Sequence, residues 1–250
     1  METPPAQESA GSLFFSCLRQ ETHFFILRHA QSEGNARRIF QGSLDLPLDD
    51  SGRAQARAAG RWLAKRGVGA ILASPLARAA ETARIAAEAC GLGEPAFDPV
   101  FSELDVGIFT GLSFEESRER YPAMFKAFEA SSWDAVAGAE KAEALYERAM
   151  RAWSFMRERA LSCERSRSGD VALACVSHGG FIQWLLRATF GCRSWMPLLH
   201  TANCGFFELV VRPTDEGSAY VQWRRLDYQA PSEAQSPEAP STKAPHSGSA

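Results

Sequence analysis

Short, wholly apolar runs alternate along this chain with longer segments whose apolar residues recur every three or four positions. Phe24 to Leu27, Ala70 to Ala73 and Val171 to Val176 are too short for helices and read as strands buried on both faces. Between them the period changes. From about Arg53 to Arg66, Ala54, Ala58, Ala59, Trp62 and Leu63 share one helical face, after a polar turn at Asp45–Gly52 where Asp50 or Ser51 is the expected cap. An alanine-rich helix from about Leu76 to Cys90 stops at Gly91. Residues 94–112, interrupted by Pro95, Pro99, Gly107 and Gly111, read as a long loop with one short strand near Phe97. Ser113 with Glu116 three places on is a capping box and predicts a helix through Phe128. Glu140 to about Arg165 carries the clearest helical period, with its Arg and Glu residues expected on a solvated face. Phe181, Trp184, Leu185 and Ala188 mark a helix directly after the third strand, and Gly205–Val211 and Ala219–Leu226 are expected closing strands around a Pro213–Gly217 turn.

Strands alternating with helices imply an α/β fold, a three-layer sandwich with a mostly parallel central sheet flanked by helices. Residues 1–21, with Pro4-Pro5 and small polar residues, are expected to be a loosely ordered extension. Residues 22–228 form the expected domain. From 229 to 250 the chain is mostly Pro, Ser, Ala and Glu, a tail that has too little apolar surface to order itself.

Composition narrows the function classes. The 27 basic and 30 acidic side chains leave a net charge of −3, so no global positive field attracts nucleic acid or acidic lipid. No apolar run reaches the length of a membrane span, and the Leu13–Leu18 patch lacks the basic leader of a signal peptide. The six cysteines show neither a zinc spacing nor a disulfide framework. Reduced thiols in a cytoplasmic protein, a small-molecule partner and no metal or cofactor are the expectation.

Chemistry concentrates after the strands. The first ends in Arg28-His29, the second in Ser74-Pro75 with Arg78 a turn later, the third in Ser177-His178-Gly179-Gly180. Parallel strands bring these ends to one edge of the sheet, where ligands of open α/β folds bind. Guanidinium forks and a helix N-terminus suit a phosphoryl dianion. A neutral histidine can attack phosphorus if its other ring nitrogen is held. The 94–112 loop offers carboxylates, Glu103 and Asp105 foremost, to handle the leaving group's proton. His23 and His200 read as surface or structural residues, His246 lies in the tail, and Arg37 and Arg38 either meet an acidic substrate or face solvent.

Arg28-His29-Ala30-Gln31-Ser32-Glu33-Gly34-Asn35 resembles the signature of the histidine phosphatase, or phosphoglycerate mutase-like, superfamily. Gln41-Gly42, Ser74-Pro75-Leu76 with Arg78, Glu103 and Ser177-His178-Gly179-Gly180 match further segments in the family's order. The resemblance implies His29 as phosphorylated nucleophile, Glu103 as proton donor, and Arg28, Arg78 and His178 around the phosphate. It also implies contacts from Asn35, Gln41, Gly42 and Gly179, a small phosphorylated substrate, and no metal. Three departures stand out: Ala30 where the family usually has Gly, Phe109-Thr110-Gly111 where an aromatic-Glu-Gly run is common, and Gly138-Ala139-Glu140-Lys141 where Gly-Glu-Ser is frequent. The reading is a phosphomonoester hydrolase. A phosphoglycerate mutase and a catalytically silent phospho-ligand or protein-binding module are the alternatives.

Overall fold

A computed structural model describes residues 9–163, 169–194 and 198–230. Its sheet has the order β3-β2-β4-β1-β5-β6, with β1 Thr22–Arg28, β2 Ala70–Ala73, β3 Ala96–Phe97, β4 Val171–Ser177, β5 Gly205–Pro213 and β6 Ala219–Gln229. The first four strands are parallel, while β5 runs antiparallel to β1 and β6 antiparallel to β5. This is the mixed α/β architecture the alternating pattern predicts.

The apolar runs are continuous because both faces of the sheet are covered. Along β1, Phe24 and Ile26 point into one core with the helices α6 (Ala142–Leu161) and α7 (Gly179–Thr189). Phe25 and Leu27 point into the other with α2 (Asp50–Ala64) and α3 (Ala77–Cys90). β4 divides the same way, Leu173 and Cys175 against Ala172, Ala174 and Val176. Each large side chain buried here contributes about 1.5–3 kcal/mol. Alanines on α2 and α3 let those two helices lie close to each other and to the sheet.

Several boundaries differ from the sequence expectation, each for a local reason. Residues 9–21 are packed rather than loose: Phe15 is fully buried and stacks edge-on to Trp153, and Leu18 joins the same core. The cap of α2 is Asp49, not Asp50 or Ser51, because its Oδ1 accepts from Gly52 N at 2.7 Å. The helix expected over Ser113–Phe128 is two, α4 (Phe114–Arg120) and α5 (Pro122–Ser131). Pro122 drives Tyr121 out of the helical region, to φ −135° and ψ 56°. β6 runs on to Gln229, so the strand consumes the start of the expected tail; residues 231–250, with His246, and residues 1–8 lie outside the described residues. The expected end of α6 near Arg165 also falls outside them, and the described helix stops at Leu161.

Register places the site. Arg28 pairs with Ser177 and Ala73 with Val176, so the C-terminal ends of β1, β2 and β4 lie level along one edge. β5 is antiparallel, so the loop that enters it, residues 200–204, reaches the same edge.

Candidate active site

His29 follows the last residue of β1 and is almost fully buried. Its Nδ1 lies 2.7 Å from the carbonyl oxygen of Ala30, which can only accept, so Nδ1 carries the proton. Arg78 donates its Nε–H to the other nitrogen, Nε2, at 3.3 Å. The two bonds fix one neutral tautomer with a lone pair on Nε2. Burial, then the charges of Arg28 and Arg78, push the His29 pKa well below its ordinary value, and the Ala30 bond only partly opposes them. Ala30 keeps a negative φ, so its methyl costs nothing where the family usually has Gly, and its N–H donates to Thr82 Oγ1 at 3.0 Å.

Arg78, on the first turn of α3, is buried yet cross-braced. Its Nη1 donates to Leu44 O at 2.7 Å and its Nη2 to Gly42 O at 2.9 Å. Gly42 has φ +51°, a left-handed turn that aims its carbonyl at the guanidinium. Arg28 donates Nη1 to Thr201 O at 2.5 Å, while its buried Nε has no partner among the described residues. His178, at the end of β4, lies beside His29 with ring centroids 5.1 Å apart. Its Nε2 pairs with Ser74 Oγ at 2.8 Å, and its buried Nδ1 is likewise unpartnered. Burial and the nearby arginines lower its pKa well below the ordinary histidine value too. Two cations and two neutral imidazoles therefore converge, with a donor of Arg28 unused.

Glu103 faces them across the N-terminus of α7. Its carboxylate accepts from Leu104 N at 3.0 Å, Gly180 N at 3.2 Å and Phe181 N at 2.9 Å. A Cβ on Gly180 would come within 2.7 Å of Glu103 Oε1, so glycine is what lets the acid seat there. Asp105 is exposed and accepts from Gly107 N instead, which separates the two loop carboxylates that the sequence leaves open. Arg28, His29, Asn35, Gln41, Gly42, Arg78, Glu103 and Gly179 all line one cavity of about 220 Å³, and His178, outside the lining, adjoins it through His29, with ring centroids 5.1 Å apart. Arg37 and Arg38 are exposed and outside it. Among the described residues, no group of three or more His, Cys, Asp or Glu is arranged to hold a metal ion.

Sequence reasoning missed four contributors. Asn203 Nδ2 donates to His29 O at 3.1 Å and to Asn35 Oδ1 at 3.0 Å, tying the His29 backbone to α1 (Glu33–Ala36). Thr201 holds Arg28 and lines the cavity. The available signal was positional: a strand returning antiparallel beside β1 must bring its entering loop to the site. Trp133, from the segment between α5 and α6, closes one wall, and no local pattern announces it. Arg148, read as part of a solvated helix face, is instead clamped to Glu140 at 2.6 Å, donates to Ser102 O at 2.7 Å and lies over the Phe181 ring. It fixes the backbone next to Glu103, and it accounts for Glu140 in the Gly138–Lys141 departure.

A family model described as "Histidine phosphatase superfamily (branch 1)" matches residues 24–225. The chain is 33% identical over 181 residues to the phosphoglycerate mutase-like protein 4 of Arabidopsis thaliana, covering 71% of this chain and 75% of that one. It is 29% identical over 182 residues to a probable phosphoglycerate mutase GpmB of Salmonella newport, covering 72% and 80%. Among solved structures, a mycobacterial glucosyl-3-phosphoglycerate phosphatase in complex with inorganic phosphate superposes with a TM-score of 0.69 at 25% identity, over 83% of this chain and 98% of that one.

Proposed function

The chain belongs to the histidine phosphatase superfamily, and from that premise we propose that it hydrolyses phosphomonoesters, without a metal, through a phosphohistidine on His29. The observation that carries the reading is the fixed tautomer: Nδ1–H on the Ala30 carbonyl, and an Nε2 lone pair that accepts from Arg78, on a residue that lines the cavity.

The steps follow from the groups at hand. A substrate phosphoryl group takes over the donors of Arg78 Nε, Arg28 Nε and His178 Nδ1, which frees the Nε2 lone pair to attack phosphorus. The N–P bond forms as the P–O bond to the alcohol breaks, and Glu103 in its acid form delivers a proton to the departing oxygen. Water then enters, Glu103 takes its proton, the new P–O bond forms and the N–P bond breaks, which restores His29 and releases phosphate. Ser74 positions His178: with its hydroxyl donated to Nε2, the imidazole keeps Nδ1–H for a phosphoryl oxygen. Buried, preorganised donors supply most of the stabilisation of the transferring group, because they need no reorganisation when charge develops.

The names of the sequence relatives favour a second reading, transfer of the phosphoryl group back to phosphoglycerate rather than to water. One set of assays separates the two. Purified protein is expected to release inorganic phosphate from a phosphomonoester panel, and a quenched reaction is expected to hold an acid-labile, base-stable phosphoryl adduct that His29→Ala lacks. Isomerisation of 3-phosphoglycerate without phosphate release would replace the hydrolase reading with the mutase. Neither activity nor adduct would leave a silent binding module.

A further inference from the structure

Beyond the phosphoryl end, the cavity changes character. Its far wall is Ile39, Phe40, Val106 and Trp133. Among the described lining residues, the side-chain cations are Arg28 and Arg78, both directed at the phosphoryl end, and the one carboxylate is Glu103. Lys141 and Arg37 are engaged elsewhere. Lys141 donates to the carbonyls of Asp134 and Val136, and Arg37 faces Glu33 at 3.9 Å.

The apolar wall is built rather than incidental. Phe40 stands edge-on to Trp133 at 5.5 Å and stacks on Phe109 at 5.8 Å, and Trp133 packs on Phe128 at 4.6 Å. The Phe40 backbone is pinned on both sides, its N–H to Leu112 O and its carbonyl to Gly111 N, each at 2.8 Å. These rings pack on a small separate core that includes Phe125 and Val136, so the wall is backed by buried side chains. A leaving alcohol with its own carboxylate or second phosphate meets no cation on this wall and loses its hydration. An alcohol bearing a ring buries apolar surface on Phe40 and Trp133 and loses little hydration.

We propose that Phe40 and Trp133 are specificity determinants that select phosphomonoesters whose alcohol carries an apolar, ring-bearing group over esters whose alcohol carries further negative charge. This rests on the hydrolase reading above and adds to it the class of substrate.

The test compares primary alkyl esters, so that leaving-group reactivity is matched: 2-phenylethyl phosphate, glycerol 3-phosphate and 3-phosphoglycerate. kcat/KM is expected to be at least about tenfold higher for the phenylethyl ester than for 3-phosphoglycerate, the discrimination a hydrophobic pocket provides for a few buried carbons. Trp133→Ala is expected to lower the phenylethyl-to-glycerol ratio about fivefold or more, while Trp133→Phe keeps most of it. Because the readout is a ratio, general damage to the fold moves numerator and denominator together. Equal or better turnover of 3-phosphoglycerate, or an unchanged ratio in Trp133→Ala, overturns the inference and leaves the hydrolase standing. Absence of phosphate release from all three esters overturns both.

Discussion

β1 carries a histidine just inside one end and another just past the other, and the two stand in opposite electrostatic settings. His23 lies between carboxylates: its Nδ1 is 2.9 Å from Glu208 and its Nε2 3.3 Å from Glu21. Those acids are in turn met by Arg225, Arg224 and Arg212, so the imidazole stands within a network of carboxylates and guanidiniums. His29 has arginines on both flanks, and Arg28 Nε beside it is without a partner among the described residues. Burial is the first cause lowering both pKa values. At His23 the charge of Glu21 opposes it, whereas at His29 Arg28 and Arg78 reinforce it. Buried arginines around a neutral imidazole suit an anionic ligand, and this is the difference on which the proposed catalytic role of His29, and a structural one for His23, rests.

The comparison breaks most sharply at the two histidines themselves. His29→Ala is expected to lower phosphatase turnover by on the order of 10⁴-fold or more, as loss of a covalent nucleophile does, while His23→Ala stays within about twofold of wild type by steady-state assay. Comparable losses in both would erase the distinction. Glu103→Gln comes next, with kcat on alkyl esters down about 10²–10⁴-fold. The loss is expected to shrink for 4-nitrophenyl phosphate, whose phenolate departs without a proton; an equal loss on both esters would remove Glu103 from the donor role.

At the paired end the expected effect falls on stability instead. Glu208→Ala strands Arg225 against a buried strand and removes the partner of His23. It is expected to destabilise the fold by about 1–3 kcal/mol in urea titration, with turnover per folded molecule unchanged. The smallest effect is in the acid limb. His23, His29 and His178 all have native pKa values below the ordinary 6.5. Below that pH the unfolded chain takes up protons that the native state refuses, so stability is full above about 6.5 and falls as pH drops beneath it. The slope is about 1.4 kcal/mol per pH unit for each such proton, and His178→Gln is expected to reduce it by one proton when denaturation midpoints are compared between pH 7 and 5.5.

Much of this was legible in the chain. β1, β2 and β4 show as apolar runs because parallel strands are covered on both faces, and Arg28, His29, Arg78 and His178 are conspicuous because each follows such a run at once or by a turn. The Tyr121–Pro122 break was written locally too, in a proline that disfavours a helix interior, but the expected helix over Ser113–Phe128 ran through it. The packing of Phe15 against Trp153 was not, since a short apolar patch in a polar leader has no period and its burial depends on a helix far along the chain. Arg148 was misplaced for a similar reason. A solvated and a clamped arginine have the same helical spacing, and only the neighbouring carbonyl of Ser102 tells them apart.

The sequence by itself determined which chemical groups are present, which strand ends they follow, and the tautomer-fixing carbonyl one residue after His29, because these depend on neighbours along the chain. Tertiary structure alone decided that Arg78 meets the free nitrogen of His29, that Asn203 from the β5 loop secures its backbone, and that Trp133 walls the cavity. Those contacts join residues separated by dozens to more than a hundred positions. Their geometry is set by sheet register and helix packing, which no local period encodes.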